Sequence, residues 1–340
     1  MSDTHRKDHH LPDGRFTNPW LSQAEQRRGF ADLLRWTRER RSRPSAPNPP
    51  AGSLPLVPHE VAFPRGEPGE LRITWIGHSS FLVQIGGVNV LLDPVFSRRA
   101  SPFQFLGPAR FVEPGIALAD LPPIDAILLS HDHYDHLDEP AVRALHARSG
   151  DAVRWYTPLG YRRWMEKRGI KNHVEMDWWD DAELATRDGS ARITCLPAQH
   201  WTRRSAGSTN TRLWASYAIE AGGRRVYFGA DSGYFPGYPE IARRAGPFDA
   251  VLLPVGAYDP RWFMKPAHMN PEEAVQAYRD LRARGVFTAM HWGTFRLTDE
   301  DPLEPPKRTR AAWAAAELPG SDLWIPAHGE TRVVPVAKPG

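Results

Sequence analysis

At 340 residues the chain is long enough to bury a substantial core, and its 41% apolar and 24% charged content fits a globular protein rather than a disordered or fibrous one. A net charge of +3 with no long basic block argues against nucleic acid as the partner. The single cysteine, Cys195, rules out an internal disulfide and a cysteine-based metal site; no run reaches the ~18 apolar residues of a spanning helix, and the polar start gives no secretory signal, so the cytoplasm is the expected compartment.

Residues 1–14 are expected to form a disordered tail, with His9 and His10 solvated. A helix is expected over 22–41, opened by Ser22 as N-cap with Glu25 three residues on, a capping box. Phe30, Leu33, Leu34 and Trp36 give it an apolar side, and Arg27, Arg28, Arg35, Arg38, Arg40 and Arg41 make it basic. Such a helix suits a membrane surface or, more commonly, docking on its own domain. Residues 44–58 are proline-rich and read as a strap. The expected division is thus a tail over 1–14, a helix and strap packed on the core over 15–70, and a main domain over 71–335.

The main domain begins with strands over 72–76, 81–85 and 88–92, the last two joined by Gly86-Gly87, a strong hairpin signal that ends at Asp93-Pro94. A long loop rich in Pro, Phe and Gly covers 97–115. The apolar run 124–129 reads as a buried strand, followed by helices over 140–148 and 158–168. Strands follow over 192–196, 225–228, 250–254 and 286–290, with a strand-like stretch near 323–326. A helix over 271–284 is capped by Asn270 with Pro271 in first position. Two sheets packed face to face with helices outside are the expected arrangement.

Chemistry concentrates just past the 124–129 strand. Residues 131–136 hold three histidines and two aspartates in six positions, the donor types that bind zinc and similar ions. His131 and His133 alternate along an extended chain and can point the same way; Asp135 and His136 lie where the chain turns and can face a second ion. His200, Asp231 and His291 each follow an apolar strand, and strand ends on one edge of a sheet converge in space.

The order His-x-His-x-Asp-His, then a single His, a single Asp and a last His, resembles the metallo-β-lactamase superfamily. Within it the chain is most similar to the N-acylphosphatidylethanolamine-hydrolysing phospholipase D family, from about Arg15 to Glu330. The selective pieces are Ser101-Pro102-Phe103-Gln104 with Gly107-Pro108, Leu121-Pro122-Pro123-Ile124-Asp125-Ala126, Gln199-His200-Trp201, Pro260-Arg261-Trp262-Phe263-Met264-Lys265 and His291-Trp292-Gly293-Thr294-Phe295.

The resemblance implies an α/β (α+β) fold, a four-layer αββα sandwich. It implies two zinc ions, one on His131, His133 and His200 and the other on Asp135, His136 and His291, with Asp231 bridging; iron and manganese suit the same donors. It implies attack by a metal-bridging hydroxide on a phosphodiester, giving N-acylethanolamine and phosphatidic acid. Asp135 and His268 are the catalytic candidates, and Tyr134 and His268 the candidates for binding the substrate's phosphate. A phospholipid is the expected substrate, met by a cytoplasmic enzyme with peripheral membrane contact and room for a homodimer. His78, His146, His173 and His328 are left as structural or exposed. Phe105 stands where the animal members carry a hydroxylated aromatic, and Asp132, where they carry an amide, should only add negative charge near the metals. A lactonase, or a phosphodiesterase for a small soluble ester, keeps the metals and changes the substrate; a nucleic-acid processing enzyme and a non-catalytic regulator are the remaining alternatives.

Overall fold

The computed structural model describes residues 8–26, 30–42 and 46–335. Its first sheet is built from β1 (Leu71–Gly77), β2 (Ser80–Ile85), β3 (Val88–Leu92), β4 (Ala126–Leu128), β5 (Arg154–Pro158) and β6 (His173–Met176). The second comprises β7 (Asp181–Ala185), β8 (Ser190–Leu196), β9 (Ser216–Ala221), β10 (Arg224–Phe228), β11 (Ala250–Pro254), β12 (Val286–Met290) and β13 (Leu323–Trp324). β14 (Thr331–Val334) returns to the first sheet and pairs antiparallel with β1, giving the orders β14-β1-β2-β3-β4-β5-β6 and β13-β12-β11-β10-β9-β8-β7. Helices α1 (Gln23–Gln26) and α2 (Phe30–Ser42) precede the sheets. The others are α3 (Glu139–Ser149), α4 (Arg162–Glu166), α5 (Tyr238–Ala245), α6 (Arg261–Met264), α7 (Pro271–Asp280) and α8 (Glu304–Ala315).

The central strands bury both faces, and side-chain alternation divides the core in two. Phe81, Val83, Val90, Leu92 and Leu128 point inward, where they meet Ile193, Tyr217, Ile219, Phe228 and Leu252 of the second sheet, whereas Phe287 turns the other way onto Tyr278 and Trp313. In the first sheet the neighbouring Leu82, Leu91 and Ile127 point outward and pack with Val142 and Leu145 of α3 and Met165 of α4. Burial of each such side chain is worth roughly 1.5–3 kcal/mol. On the far side, α7 lies against β11 and α8. The result is the four-layer αββα sandwich anticipated from the sequence.

The hairpin at Gly86-Gly87 forms as expected, both glycines at positive φ (57° and 79°), the backbone a two-residue turn requires. Helix 158–168 does not run as expected. Strand β5 extends through Pro158, Gly160 turns at φ 95°, and the Glu175 carboxylate accepts the Tyr161 and Arg162 amides, so α4 starts only at Arg162. Helix 271–284 stops at Asp280, with Arg282 at φ 48°.

Ser22 and Glu25 form the expected capping contacts, the Ser22 amide donating to Glu25 Oε2 (3.0 Å) and the Glu25 amide to Ser22 Oγ (3.3 Å). Helix α2 docks on its own domain. Trp36 donates Nε1–H to Asp299 (2.6 Å) and its ring lies 4.9 Å from Phe263, while Leu33 and Leu34 stay exposed. Arg27, Arg28 and the Phe30 side chain lie outside the described residues, as do residues 1–7. His9, expected to be solvated, is buried, and the chain after it turns back on itself. Among the described residues no helix is long and apolar enough to cross a membrane.

Strand direction, more than strand order, sets where the connecting loops gather. β8 and β10 are each antiparallel to β9 and so run the same way, and β11 and β12 continue parallel to β10. The loops after β8, β10, β11 and β12 therefore leave one edge of the second sheet.

Candidate metal centre

Two clusters of buried donors face each other across the sheets. Beyond β4, residues 131–136 enter from the first sheet; His200 after β8, Asp231 after β10 and His291 after β12 enter from the second. His131, His133 and His200 form one set. His131 Nε2 lies 2.9 Å and His200 Nε2 3.2 Å from His133 Nδ1. Tetrahedral zinc with bonds near 2.0–2.1 Å spaces its nitrogen ligands about 3.3 Å apart. Asp135, His136 and His291 form the second set, with Asp135 Oδ2 3.5 Å from Nε2 of both histidines.

Asp231 belongs to both. Its Oδ2 is 3.8 Å from His131 Nε2, 3.8 Å from His200 Nε2 and 3.2 Å from His136 Nε2, and its Oδ1 is 3.1 Å from His291 Nε2.

Electrostatics and hydrogen bonding test whether ions fit. His136 Nε2, His291 Nε2 and Asp231 Oδ1 are buried without a hydrogen-bond partner, a costly state unless something else binds them. Burial pushes His131 well below the ordinary imidazole range, His200 to about 3 and His133 to about 4, leaving neutral rings with lone pairs to give. Burial also opposes charge on His136 and His291, yet Asp231 and Asp135 hold His136 well above the usual range and His291 up to about 9. Both carboxylates stay well below their usual range despite burial, held there by those imidazoles. The pocket thus demands positive charge on the two sides of Asp231, and divalent ions meet that demand.

Outer partners orient the rings, as metal-binding histidines require. His200 Nδ1–H donates to the Ala267 carbonyl (2.9 Å), which leaves Nε2 free. Asp93 accepts from His136 Nδ1 (2.7 Å) and from Ser130 Oγ, and Ser130 Oγ in turn meets His131 Nδ1 (2.9 Å). One buried carboxylate therefore sets a histidine in each cluster. From sequence alone Asp93 is only a hairpin end, since Asp-Pro after a strand is an ordinary turn. His78 likewise has a larger part than the structural one expected of it. It is buried with Nε2 2.9 Å from Asp135 Oδ2, and it follows β1 just as the other donors follow their strands, which is the signal that marks it.

Asp132 differs from its expected role. It is fully buried, pairs with Arg212 (2.7 Å) and accepts the Arg203 amide (2.9 Å), so it fastens the loop rather than charging the metals. Arg204 clamps the same loop through the carbonyls of Asp132 and Leu137.

His268 reaches the centre from the loop before α7. It is buried, its Nδ1 lies 3.9 Å from Asp231 Oδ2, and burial pushes it well below the usual range. Asn270, not His268, caps α7. Tyr134 is placed differently, its hydroxyl donating to the Arg204 carbonyl (3.0 Å) and its side chain lining a cleft of about 370 Å³ with Ser101, Glu139, Arg143 and Arg204. Trp201 packs edge-on against His133 and keeps 38% of its surface exposed, whereas Trp20 packs into the core beside Trp178 and Phe235.

Comparison with known proteins agrees with this geometry. The family described as "Beta-lactamase superfamily domain" matches residues 88–292. An N-acyl-phosphatidylethanolamine-hydrolyzing phospholipase D of Caenorhabditis elegans is 41% identical over 254 residues, 73% of this chain and 71% of that one. An uncharacterised protein of Mycobacterium tuberculosis is 40% identical over 283 residues, covering 79% and 74%. Among solved structures, a metallohydrolase of Ignicoccus hospitalis aligns with a TM-score of 0.58 at 19% identity, over 78% of this chain and 99% of that one, a likeness of fold.

Proposed function

Because the chain belongs to the β-lactamase superfamily and, within it, to the N-acyl-phosphatidylethanolamine-hydrolysing phospholipase D family of metal-dependent hydrolases, we propose that it cleaves N-acylphosphatidylethanolamine to N-acylethanolamine and phosphatidic acid. The observation that carries this reading is the position of Asp231, within 3.1–3.8 Å of donors from both clusters. His131, His133 and His200 would hold one ion, Asp135, His136 and His291 the other, with Asp231 shared. Two such ions supply a water acidic enough to attack at neutral pH and positive charge for the phosphoryl oxygens. Zinc suits this donor set, and so do iron and manganese.

The chain's own residues complete the site. His268, kept neutral by burial, offers one N–H to a phosphoryl oxygen beside Asp231. Tyr134 would join it on exchanging its bond to the Arg204 carbonyl for one to substrate. Trp201, exposed and packed on His133, gives an apolar wall next to the ions, which suits an acyl chain. Leu33, Leu34, Phe103, Phe105 and Trp262 are further exposed apolar side chains available for peripheral membrane contact.

The test is a head-to-head assay of vesicles carrying N-acylphosphatidylethanolamine against soluble lactones and phosphodiesters, with products identified by mass spectrometry. Release of N-acylethanolamine with phosphatidic acid is expected. Turnover confined to the soluble esters would sink the lipid reading and leave a metal-dependent hydrolase of small substrates.

A further inference from the structure

A second cluster of metal-binding side chains sits apart from this centre and shares no residue with it. His9, His10 and Asp177 place their donor atoms within 4.8 Å of one another. His9 Nε2 lies 2.6 Å from Asp177 Oδ1, and His10 Nε2 lies 2.8 Å from Asp177 Oδ2. A carboxylate accepts only, so in this arrangement both imidazoles must carry their proton on Nε2. A divalent ion takes the place of both protons at once and finds two nitrogens and a carboxylate waiting.

The site is built rather than incidental. The His9 side chain is 2% exposed, its ring stacked on Trp178 at 4.1 Å. Asp177 is fixed by the Trp178 amide, which donates to Oδ1 (2.8 Å). The chain after His10 turns back so that His10 bridges Phe16 and the Thr17 amide donates to the His9 carbonyl (2.9 Å). His10, by contrast, is 35% exposed, which leaves a way in for the ion and a place for water as a further ligand.

We propose that His9, His10 and Asp177 form a separate structural site for a divalent transition metal of the zinc type, a donor set that also suits nickel and copper. Its position explains what it would do. Asp177 begins the connection between β6 and β7, the edge strands at which the chain crosses from the first sheet to the second. An ion there ties the N-terminal segment across that junction. Eight residues beyond His10, Asn18 donates its side-chain amide to the carbonyl of His200 (2.8 Å), a ligand of the first donor set. The clip thus holds the segment that braces one catalytic-centre ligand from behind.

The experiment counts zinc by elemental analysis in the full-length, tag-free protein after equilibration with zinc and dialysis. Wild-type protein should retain about one zinc per chain more than His10→Ala, a variant chosen because His10 is the exposed member and circular dichroism can verify its fold. Zinc should also slow tryptic cleavage after the exposed Arg15 in wild type and not in His10→Ala. Equal zinc content and equal protection in the two proteins would overturn the proposal and leave the cluster as a pair of hydrogen bonds. Because the readout is a difference between two proteins that share the His131–Asp231–His291 centre, it does not depend on that centre's substrate.

Discussion

Asp93 shows how much of a metal site depends on a side chain that touches no metal. It holds His136 through Nδ1 and His131 through Ser130, one ring in each donor set. Asp93→Asn keeps the size and removes the charge that favours both ring orientations. Partners of this kind are worth 10–100-fold in metal affinity or activity. A chelator competition titration should therefore show metal affinity weaker by about that factor, with turnover falling in step. An unchanged titration would assign Asp93 to folding alone. Asp231→Asn acts differently, because both sets lose a charge they share. It should empty both positions and abolish turnover, whereas His200→Ala should leave the second position filled. Elemental analysis of the two variants separates these outcomes. The seven candidate donors are legible in the sequence because imidazole and carboxylate after apolar strands have few other reasons to be there. Asp93 is not, since its role exists only through a partner 43 residues away, whereas His78 shares the signal of a histidine after an apolar strand.

At the scale of elements, two short features position the loops. Gly256 follows β11 where a Cβ would lie 2.0 Å from the His291 carbonyl oxygen, so the β11 and β12 loops pass in direct backbone contact. Gly256→Ala must push the two apart and take His291 out of register with Asp231. The expected result is loss of metal from the second set with the first retained, read by elemental analysis; full occupancy would show that the loop absorbs the methyl group. Asn270 caps α7 with a reciprocal pair, its side chain accepting the Glu273 amide (2.9 Å) while Glu273 Oε2 accepts the Asn270 amide (3.1 Å). Asn270→Ala should cost about 1 kcal/mol, measured by urea unfolding, and should weaken substrate binding through His268 two residues upstream. An undiminished midpoint would refute the cap's contribution. The cap is readable because Asn-Pro at a helix start has a local cause, while Gly256 answers to His291 on another strand. The start of helix α4 is not readable, because Glu175 from a neighbouring strand sets it. The edge strand β7, mostly exposed, lacks the apolar run that marks a buried strand.

For the whole molecule, the donor arrangement makes metal a structural link as well as a reagent. Residues 131–136 belong to the first sheet, and His200, Asp231 and His291 to the second, so each set draws on both. Without ions, the orphaned nitrogens of His136 and His291 and the oxygen of Asp231 remain buried at the sheet junction. Chelation should therefore destabilise the whole fold and not only silence a site. An ion present at a thousand times its Kd stabilises the folded state by about 4 kcal/mol. For a chain of this size that corresponds to a shift in Tm of about 6 °C. Thermal unfolding after exhaustive chelation should show a drop of that order, reversed by added zinc. The Asp231→Asn variant should start nearer the low value and keep only the part of the response that comes from the His9, His10 and Asp177 cluster. A wild-type Tm that chelation leaves unchanged, in protein verified to be metal-free, would mean that the inter-sheet core of Phe81, Val83, Ile193 and Phe228 holds the sheets alone. Comparison with His10→Ala then apportions the effect. That variant should lose only the part of the zinc response that comes from clipping residues 9–18 to Asp177, since it leaves every donor between the sheets in place.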